Sequence, residues 1–267
     1  MYMFSAIYRS SYRDCSWIAS VHCLERTFLL PLPTSAIAPL AKASPPAHAG
    51  GSAARKARFW DRIAVKYAAD PIADRAGYEA TLRRVRGLLS ADQDVLEIGC
   101  GTGTTALRLA PFTRRLMATD VSAGMIAIAR EKLAAESVPQ LSFDVADADA
   151  DADAAVAGQG EYDVVLAFNL LHLVTDLDRA LELAMRALRP GGLLISKTVC
   201  ISEMNPLIPY LALPLMRAIG KAPHVLCFDA DALRSAIARQ GMDIVSVERH
   251  GTRGKDIRVF IVARKPA

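Results

Sequence analysis

From about residue 58 onward, the hydrophobic positions of the chain follow two alternating patterns. Short continuous apolar runs indicate buried strands, and longer segments with apolar residues three or four positions apart indicate amphipathic helices. The predicted strands are Asp94–Ile98, Leu116–Thr119, Leu141–Val145, Tyr162–Phe168, Leu193–Val199, Met242–Val247 and Ile257–Ala263. The predicted helices are Phe59–Ala69, Gly77–Leu89, Thr104–Ala110, Ala123–Glu136, Leu177–Leu188 and a last helix that Asp229 caps and that runs to Arg239. Repeated β–α units predict an α/β fold, with a mostly parallel seven-stranded sheet, helices on both faces and a final antiparallel pair of strands.

Two segments depart from this alternation, at residues 1–54 and 203–228. The first is rich in Ser, Ala and Pro and shows no sustained period, so we expect a disordered tail before one domain at 55–267. Residues 1–58 carry seven basic and two acidic side chains, a net charge of +5 against +4 for the whole chain. The remaining chain is therefore nearly neutral at −1, and its charge predicts no nucleic-acid partner.

The cysteines and the hydropathy of the chain indicate the cellular location that we expect for the protein. The chain has five cysteines, without a CxxC pair and without a Cys/His cluster at zinc spacing. This pattern predicts reduced thiols, no metal site and a cytoplasmic location. No apolar run reaches the roughly 18 residues that a transmembrane helix needs, so none is expected.

The strongest local signal is a glycine-rich turn between the first strand and a helix. Its form is Glu97-x-Gly99-x-Gly101-x-Gly103. A pyrophosphate-binding turn would place its third glycine at position 104, which is Thr104, and a phosphate loop would need Gly-Lys-Ser/Thr. Because Glu97 would repel a pyrophosphate and attract an ammonium, the turn favours a zwitterionic nucleoside ligand without phosphate.

Two further acids end the next two predicted strands. Asp120 lies 21 residues after Gly99, where a carboxylate can accept hydrogen bonds from both ribose hydroxyls, although it could also be a turn residue. Asp144 could accept from an adenine amino group while the backbone N–H of Val145 serves a ring nitrogen. The assignment of Asp144 is complicated by four nearby acids that we interpret as a solvated loop, namely Asp147, Asp149, Asp151 and Asp153.

The spaced set of motifs resembles class I S-adenosylmethionine-dependent methyltransferases. The motifs are Val95–Thr104, Ala118–Ser122, Tyr162–His172 and Leu188–Gly192, within a resemblance that covers roughly residues 58–265. Phe59–Tyr67 resembles the N-terminal lid helix of the ubiquinone/menaquinone C-methyltransferases and of the methyltransferase-domain 11/25 relatives. The resemblance implies a doubly wound Rossmann-like sheet with an antiparallel last strand, and S-adenosylmethionine as cofactor.

The resemblance also implies roles for single residues. Tyr67, unless it is a core aromatic, covers the cofactor near its methionyl end, and Asn169 forms the wall near the sulfonium. The three glycines line the methionyl moiety, Asp120 binds the ribose, and Asp144 with Val145 binds the adenine. The full set of expected cofactor-binding residues is Tyr67, Glu97, Gly99, Cys100, Gly101, Gly103, Asp120, Val121, Met125, Asp144, Val145 and Asn169.

Methyl transfer by in-line displacement needs alignment and desolvation of the acceptor, and it needs a base only if the acceptor must lose a proton. His172, in the loop after the fourth strand, is the first candidate for that base; a structural histidine is the alternative. His224 and His250 are weaker candidates. Two alternative functions stay open. The protein could be a cofactor-binding pseudoenzyme or partner subunit without methyl transfer, or an NAD-type oxidoreductase, although Glu97 and the glycine spacing disfavour the oxidoreductase.

Residues 203–228 follow the fifth strand, where class I enzymes commonly build acceptor pockets. The segment is apolar near helical spacing, and its prolines exclude a straight helix. Three interpretations remain: packing on the sheet, a wall for a small apolar acceptor that includes Leu211 and Leu215, or a peripheral membrane contact through residues 204–226.

Overall fold

A computed structural model describes residues 51–149 and 160–267. The strands are β1 Asp94–Ile98, β2 Arg115–Asp120, β3 Leu141–Val145, β4 Tyr162–Phe168, β5 Leu188–Val199, β6 Asp243–Glu248 and β7 Arg258–Arg264. The helices are α1 Gly51–Ala69, α2 Arg75–Arg86, α3 Thr104–Leu109, α4 Ala123–Ala134, α5 Leu177–Ala187, α6 Leu213–Ala218 and α7 Ala230–Arg239. The predicted tail lies outside the described residues up to position 50, as do Asp151 and Asp153.

The seven strands form one sheet in the order β3-β2-β1-β4-β5-β7-β6. β1 pairs in parallel with both β2 and β4, and β7 is antiparallel to both β5 and β6. The predicted α/β fold, with a mostly parallel seven-stranded sheet and an antiparallel last strand, is therefore confirmed. Because the chain runs outward from β1 to β3 and then returns to β4, the sheet has a topological switch point between β1 and β4.

Helices cover both faces of the sheet, and a buried apolar cluster fills each face. One cluster joins the sheet to α2, α3 and α4 through Leu82, Leu109 and Ile126. The other joins it to α5 and α7 through Leu181 and Leu233. Within the described residues, no helix is both long enough and apolar enough to cross a membrane.

Two boundaries differ from the predicted ones. α1 begins at Gly51, eight residues before Phe59, so the last residues of the predicted tail, 51–54, are helical. β5 begins at Leu188, where the sequence predicts the end of a helix. Tyr162 pairs with Leu188 and Val164 with Leu193, so that Pro190 lies in an irregularity of the ladder. A proline is tolerated there because the ladder does not require its missing N–H.

Candidate functional site

The candidate site lies at the carboxyl ends of β1, β2 and β4, beside the switch point where open α/β sheets bind ligands. The turn from β1 into α3 contains glycines with positive φ. At Gly101 (φ 54°) an added Cβ would lie 3.7 Å from the Tyr67 ring, so the backbone faces the space beneath that ring. At Gly103 (φ 73°) an added Cβ would lie 2.6 Å from the Phe143 ring. Gly103 therefore allows close packing of α3 and does not line the cleft, contrary to the prediction.

Asp120, the last residue of β2, joins the glycine turn to the start of α4. Its Oδ2 accepts a hydrogen bond from Gly101 N at 2.9 Å, and its Oδ1 accepts one from Ser122 N at 2.9 Å. Burial raises the pKa of Asp120, and these two backbone N–H groups oppose that rise. The carboxylate is thus held in place with lone pairs to spare, and it lines the cleft.

α1 closes the cleft from above. The Tyr67 ring packs edge-on against Trp60 with centroids 6.3 Å apart, and both line the cleft. Asp61 fixes the helix by accepting from Ser122 Oγ at 2.6 Å and from Gly124 N at 2.9 Å, which caps the start of α4. The structure thus places Tyr67 over the glycine turn, as the resemblance implies.

A buried ion-pair cluster closes the other end of the cleft. The Lys56 Nζ of α1 lies 2.6 Å from Asp147 Oδ1 and also contacts Asp149. Asp149 Oδ2 accepts from the backbone N–H of Thr175 and, at 2.9 Å, from that of Asp176. The interpretation of Asp147 and Asp149 as solvated loop residues is therefore wrong, because both side chains are largely buried.

Asp144 and Val145 lie outside the cleft, contrary to the prediction. Val145 N donates to Asp144 Oδ1 at 2.8 Å, and the same oxygen lies 3.5 Å from Arg130 Nη2. This neighbouring hydrogen bond turns the exposed carboxylate toward its own strand end and toward α4. The cleft wall after β3 is formed by Ala146, Asp147 and Ala148, two to four residues further along the chain.

Glu97 is buried beneath the glycine turn. Its side chain is 2% exposed, and its Oε2 has no hydrogen-bond partner among the described residues. Burial, followed by the charge of Asp120, raises the pKa of Glu97 to about 8. Cys100 is also buried, and its side chain belongs to the neighbouring cavity. Glu97 is thus a carboxyl group that a cationic ligand would stabilise in its charged form.

The cleft, of about 80 Å³, brings together most of the predicted cofactor-binding residues. Those that line it are Tyr67, Gly99, Gly101, Asp120, Val121, Met125 and Asn169. Asn169 holds its place with a positive φ of 53° and a hydrogen bond from its N to Lys197 O at 2.7 Å. In residues 51–149 and 160–267, no group of three or more His, Cys, Asp or Glu side chains could hold a metal ion.

A second cavity of about 390 Å³ adjoins the cleft and shares Trp60, Tyr67, Phe168, Asn169 and Leu173 with it. Its other apolar walls include Phe59, Ile63, Tyr78 and Val199. Mostly apolar walls with a few polar groups are typical of small-molecule sites. The position next to Asn169 makes this cavity the candidate acceptor site.

His172 lines the second cavity, as its predicted role requires. The residue is 3% exposed, and its Nδ1 has no partner among the described residues. Burial lowers the pKa of His172 to about 4, so the ring is neutral at pH 7 and accepts protons poorly. A buried neutral ring therefore suits a hydrogen-bonding group in the wall better than a general base.

The segment after β5 contributes less to the cavity than expected. It forms short helical pieces at Ile201–Glu203, Ile208–Ala212 and α6, and Leu213 anchors it to the sheet. Lys221 and Pro223 reach the second cavity. Leu211 and Leu215 are 64% and 62% exposed and face solvent, so their predicted place in the acceptor wall is wrong. The reason is that Leu213, on the opposite side of the helix, takes the buried position.

Sequence comparison matches part of the chain to a family model. Residues 95–192 match the family model described as "Methyltransferase domain". The chain has a class I S-adenosylmethionine-dependent methyltransferase domain. Among curated proteins, it is 36% identical over 107 residues to the hybrid PKS-NRPS synthetase mpsA of Macrophomina phaseolina (strain MS6), covering 39% of this chain and 3% of that protein. The chain thus spans only a small fraction of such multidomain relatives.

Solved methyltransferases share the fold of this domain. The S-adenosylmethionine-dependent methyltransferase from Mesorhizobium loti superposes with a TM-score of 0.57 and 21% identity, covering 72% of this chain and 99% of that one. Phosphoethanolamine N-methyltransferase 2 of Haemonchus contortus, in complex with phosphomonomethylethanolamine and S-adenosylhomocysteine, superposes with a TM-score of 0.62 and 17% identity over 79% of this chain and 61% of that one. These likenesses show the fold of the methyltransferase domain.

S-adenosylmethionine is the cofactor that this family implies, and the residues of the cleft fit it. The partnerless buried oxygen of Glu97 suits the methionyl ammonium, and the lone pairs of Asp120 suit the ribose hydroxyls. A Cβ at Gly101 would fill the space beneath the Tyr67 ring, which the glycine leaves open.

The charged residues in or beside these cavities that the sequence did not predict include four that bear on the site. Lys56, Asp61 and Asp147 lie in or beside the cleft, and Lys197 lies in the second cavity. For Lys197 a signal was present, because a lysine interrupts the otherwise apolar strand at Leu193–Val199. For Lys56, Asp61 and Asp147, no pattern in the sequence indicates which distant residue each side chain contacts.

Proposed function

We propose that this protein transfers a methyl group from S-adenosylmethionine to a small, mainly apolar acceptor bound in the second cavity. The observation that carries the proposal is the buried, partnerless carboxyl oxygen of Glu97 beside Asp120 and the glycine turn. A buried polar group without a partner is costly, so a ligand that brings an ammonium is favoured. The relative named as a hybrid PKS-NRPS synthetase supports a small-molecule acceptor.

When bound, S-adenosylmethionine would supply a methyl group for in-line transfer to an acceptor, and S-adenosylhomocysteine would be the leaving group. Asp120 orients the ribose, and Tyr67 and Trp60 exclude water above the turn. Asn169 and Phe168 line both cavities and therefore mark the place where they meet. Alignment and desolvation there can supply about 7–11 kcal/mol of the lowered barrier. In this scheme His172 forms a hydrogen bond with the acceptor and does not act as a general base.

Calorimetry with S-adenosylhomocysteine tests the cofactor site. The wild type is expected to bind S-adenosylhomocysteine with a Kd in the micromolar range and to show no binding of NAD. Asp120→Asn loses charge-assisted hydrogen bonds to the ribose, each worth about 1.5–3 kcal/mol, so the Kd rises about 10- to 100-fold. Asp243→Asn, an exposed acid at the start of β6, is the matched control and keeps the wild-type Kd.

Three outcomes separate the alternatives. NAD binding, or no binding of S-adenosylhomocysteine, overturns the proposal. Cofactor binding without any labelled product, after incubation of cell extract with labelled cofactor and the enzyme, supports the pseudoenzyme or partner-subunit alternative. A labelled small molecule supports methyl transfer and identifies the acceptor.

We also propose that the face formed by residues 204–226 contacts an anionic membrane surface. Leu207, Tyr210, Leu211, Leu215 and Ile219 are all more than half exposed on this segment. Residues 204–228 contain no acidic side chain, and Arg217 and Lys221 flank the apolar ones. Exposed apolar groups next to basic ones are typical of interfacial segments. The cytoplasmic location remains a prediction from the cysteine pattern.

A further inference from the structure

Lys197 is a buried amine that nothing in the methyl-transfer scheme uses. It lies on β5 between β4 and β7, is 6% exposed, and lines the second cavity. Its Nζ donates a hydrogen bond to Thr81 Oγ1 at 2.6 Å. Among the described residues, Thr81 is its one hydrogen-bond partner and no carboxylate forms a salt bridge with it.

The charged groups around Lys197 are already paired. Arg258 of β7 lies 3.4 Å from Asp256 and 3.8 Å from Asp74. Asp74 also accepts hydrogen bonds from Gly77 N, Thr252 N and Thr252 Oγ1. Burial, followed by the charge of Arg258, lowers the pKa of Lys197 to about 8, with Asp256 and Asp74 opposing it. The amine is therefore mostly protonated at pH 7 and lacks an anionic partner.

The hydroxyl of Thr81 does not supply that partner. Its Oγ1 lies 2.9 Å from Gly77 O and 3.1 Å from His250 Nδ1, and His250 Nε2 lies 3.0 Å from Glu248 Oε2. Thr81 donates its one hydrogen to Gly77 or to His250, and it accepts from Lys197. Two N–H groups of the amine thus remain available to the cavity.

We propose that Lys197 binds a carboxylate of the acceptor, so that the substrate class is an apolar acid whose body fills the aromatic part of the second cavity. A buried ammonium is stable only when an anion or hydrogen bonds compensate it. One uncompensated positive charge matches one negative charge, which favours a carboxylate over a doubly charged phosphate. This inference rests on the proposed function, because it assigns the second cavity to the acceptor.

Calorimetry on protein saturated with S-adenosylhomocysteine tests the proposal, with 1-naphthoate, 1-naphthamide and 1-naphthyl phosphate as probes. At pH 7 the naphthoate is expected to bind at least about tenfold more tightly than the isosteric amide, because only the acid pairs with the ammonium. Lys197→Met, of similar length, should reduce this preference to less than about twofold. Arg253→Met, an exposed cation between β6 and β7 that lines neither cavity, is the control and should keep it.

A second readout does not depend on any variant. At pH 8.5 the free amine is mostly neutral, so carboxylate binding should be coupled to the uptake of roughly half a proton or more, measured in buffers of different ionisation enthalpy. Equal binding of acid and amide, no binding of either, tighter binding of the phosphate, or no proton uptake would each overturn the inference. A lack of S-adenosylhomocysteine binding at the saturation step would instead overturn the proposed function.

Discussion

Replacing Glu97 by glutamine probes the electrostatics beneath the glycine turn with almost no change in shape. Burial and the charge of Asp120 raise the pKa of Glu97 from 4.5 to about 8 in the folded protein. Between pH 4.5 and about pH 8, Glu97 therefore keeps its proton in the folded state and loses it in the unfolded state. Between these two values the unfolded state binds fewer protons, so the free energy of unfolding falls as the pH rises.

The size of the effect follows from the same shift. Each pKa unit corresponds to about 1.4 kcal/mol, so the loss of stability between pH 4.5 and pH 8 is at most about 5 kcal/mol for the ligand-free protein. Glu97→Gln has no proton to lose at this position. The variant should therefore show a flatter dependence of stability on pH, and it should be more stable than the wild type at pH 8.

The assay combines urea unfolding at several pH values with calorimetry of S-adenosylhomocysteine binding. Pairing with the ligand's ammonium ionises Glu97, so wild-type protein at pH 7 should release up to about one proton on binding. Glu97→Gln should release none and bind about tenfold or more weakly, through the loss of a charge-assisted contact. Parallel stability curves for the two proteins, or equal proton release, would refute the reasoning.

Two further predictions concern the edges of the site. Lys56→Met removes the cation between Asp147 and Asp149 and so loosens α1, and stopped-flow measurements should show S-adenosylhomocysteine associating several-fold faster. Arg58→Met, an exposed cation of the same helix, is the control, and equal rates in both variants would show that the ion pairs do not gate the cleft. For the double variant Leu211→Ser/Leu215→Ser, the fraction of protein that sediments with phosphatidylcholine vesicles containing ~30% phosphatidylglycerol should fall several-fold. Val245→Ser, exposed on β6, should sediment like the wild type, and unchanged sedimentation of the double variant would contradict the membrane contact.

The fold could be predicted because its signals are local. Each strand is a short apolar run, and Asp176 and Asp229 cap α5 and α7 with hydrogen bonds to backbone N–H groups three residues ahead. The start of β5 could not be predicted, because Pro190 and its neighbouring glycines signal a helix end and do not reveal that the ladder tolerates an irregularity there. Asp120 and Gly101 were identified because turn chemistry fixes their positions.

The failures share a physical cause, which is that the direction of a side chain depends on partners distant in sequence. The Asp144 carboxylate turns away from the cleft because Arg130 and the backbone N–H of Val145 hold it. Asp147 instead points inward to Lys56, which lies 91 residues earlier in the chain. In the segment after β5, the apolar period showed that one side of the helix is buried. It did not show that Leu213 would take the buried side and leave Leu211 and Leu215 in solvent.

The two adjoining cavities have opposite electrostatic demands, and this difference can sort their ligands. The cleft presents Asp120, with Glu97 beneath the turn, and so favours a cation and hydroxyl donors. The second cavity presents Lys197 and so favours an anion, while Tyr67 and Asn169 belong to both walls. An acid that entered the cleft would meet the charge of Asp120, and an ammonium in the second cavity would face that of Lys197. Binding of the first ligand should release a proton from Glu97 near pH 7, and binding of the second should draw a proton from solvent to Lys197 near pH 8.5, so proton release and proton uptake report the two occupancies separately.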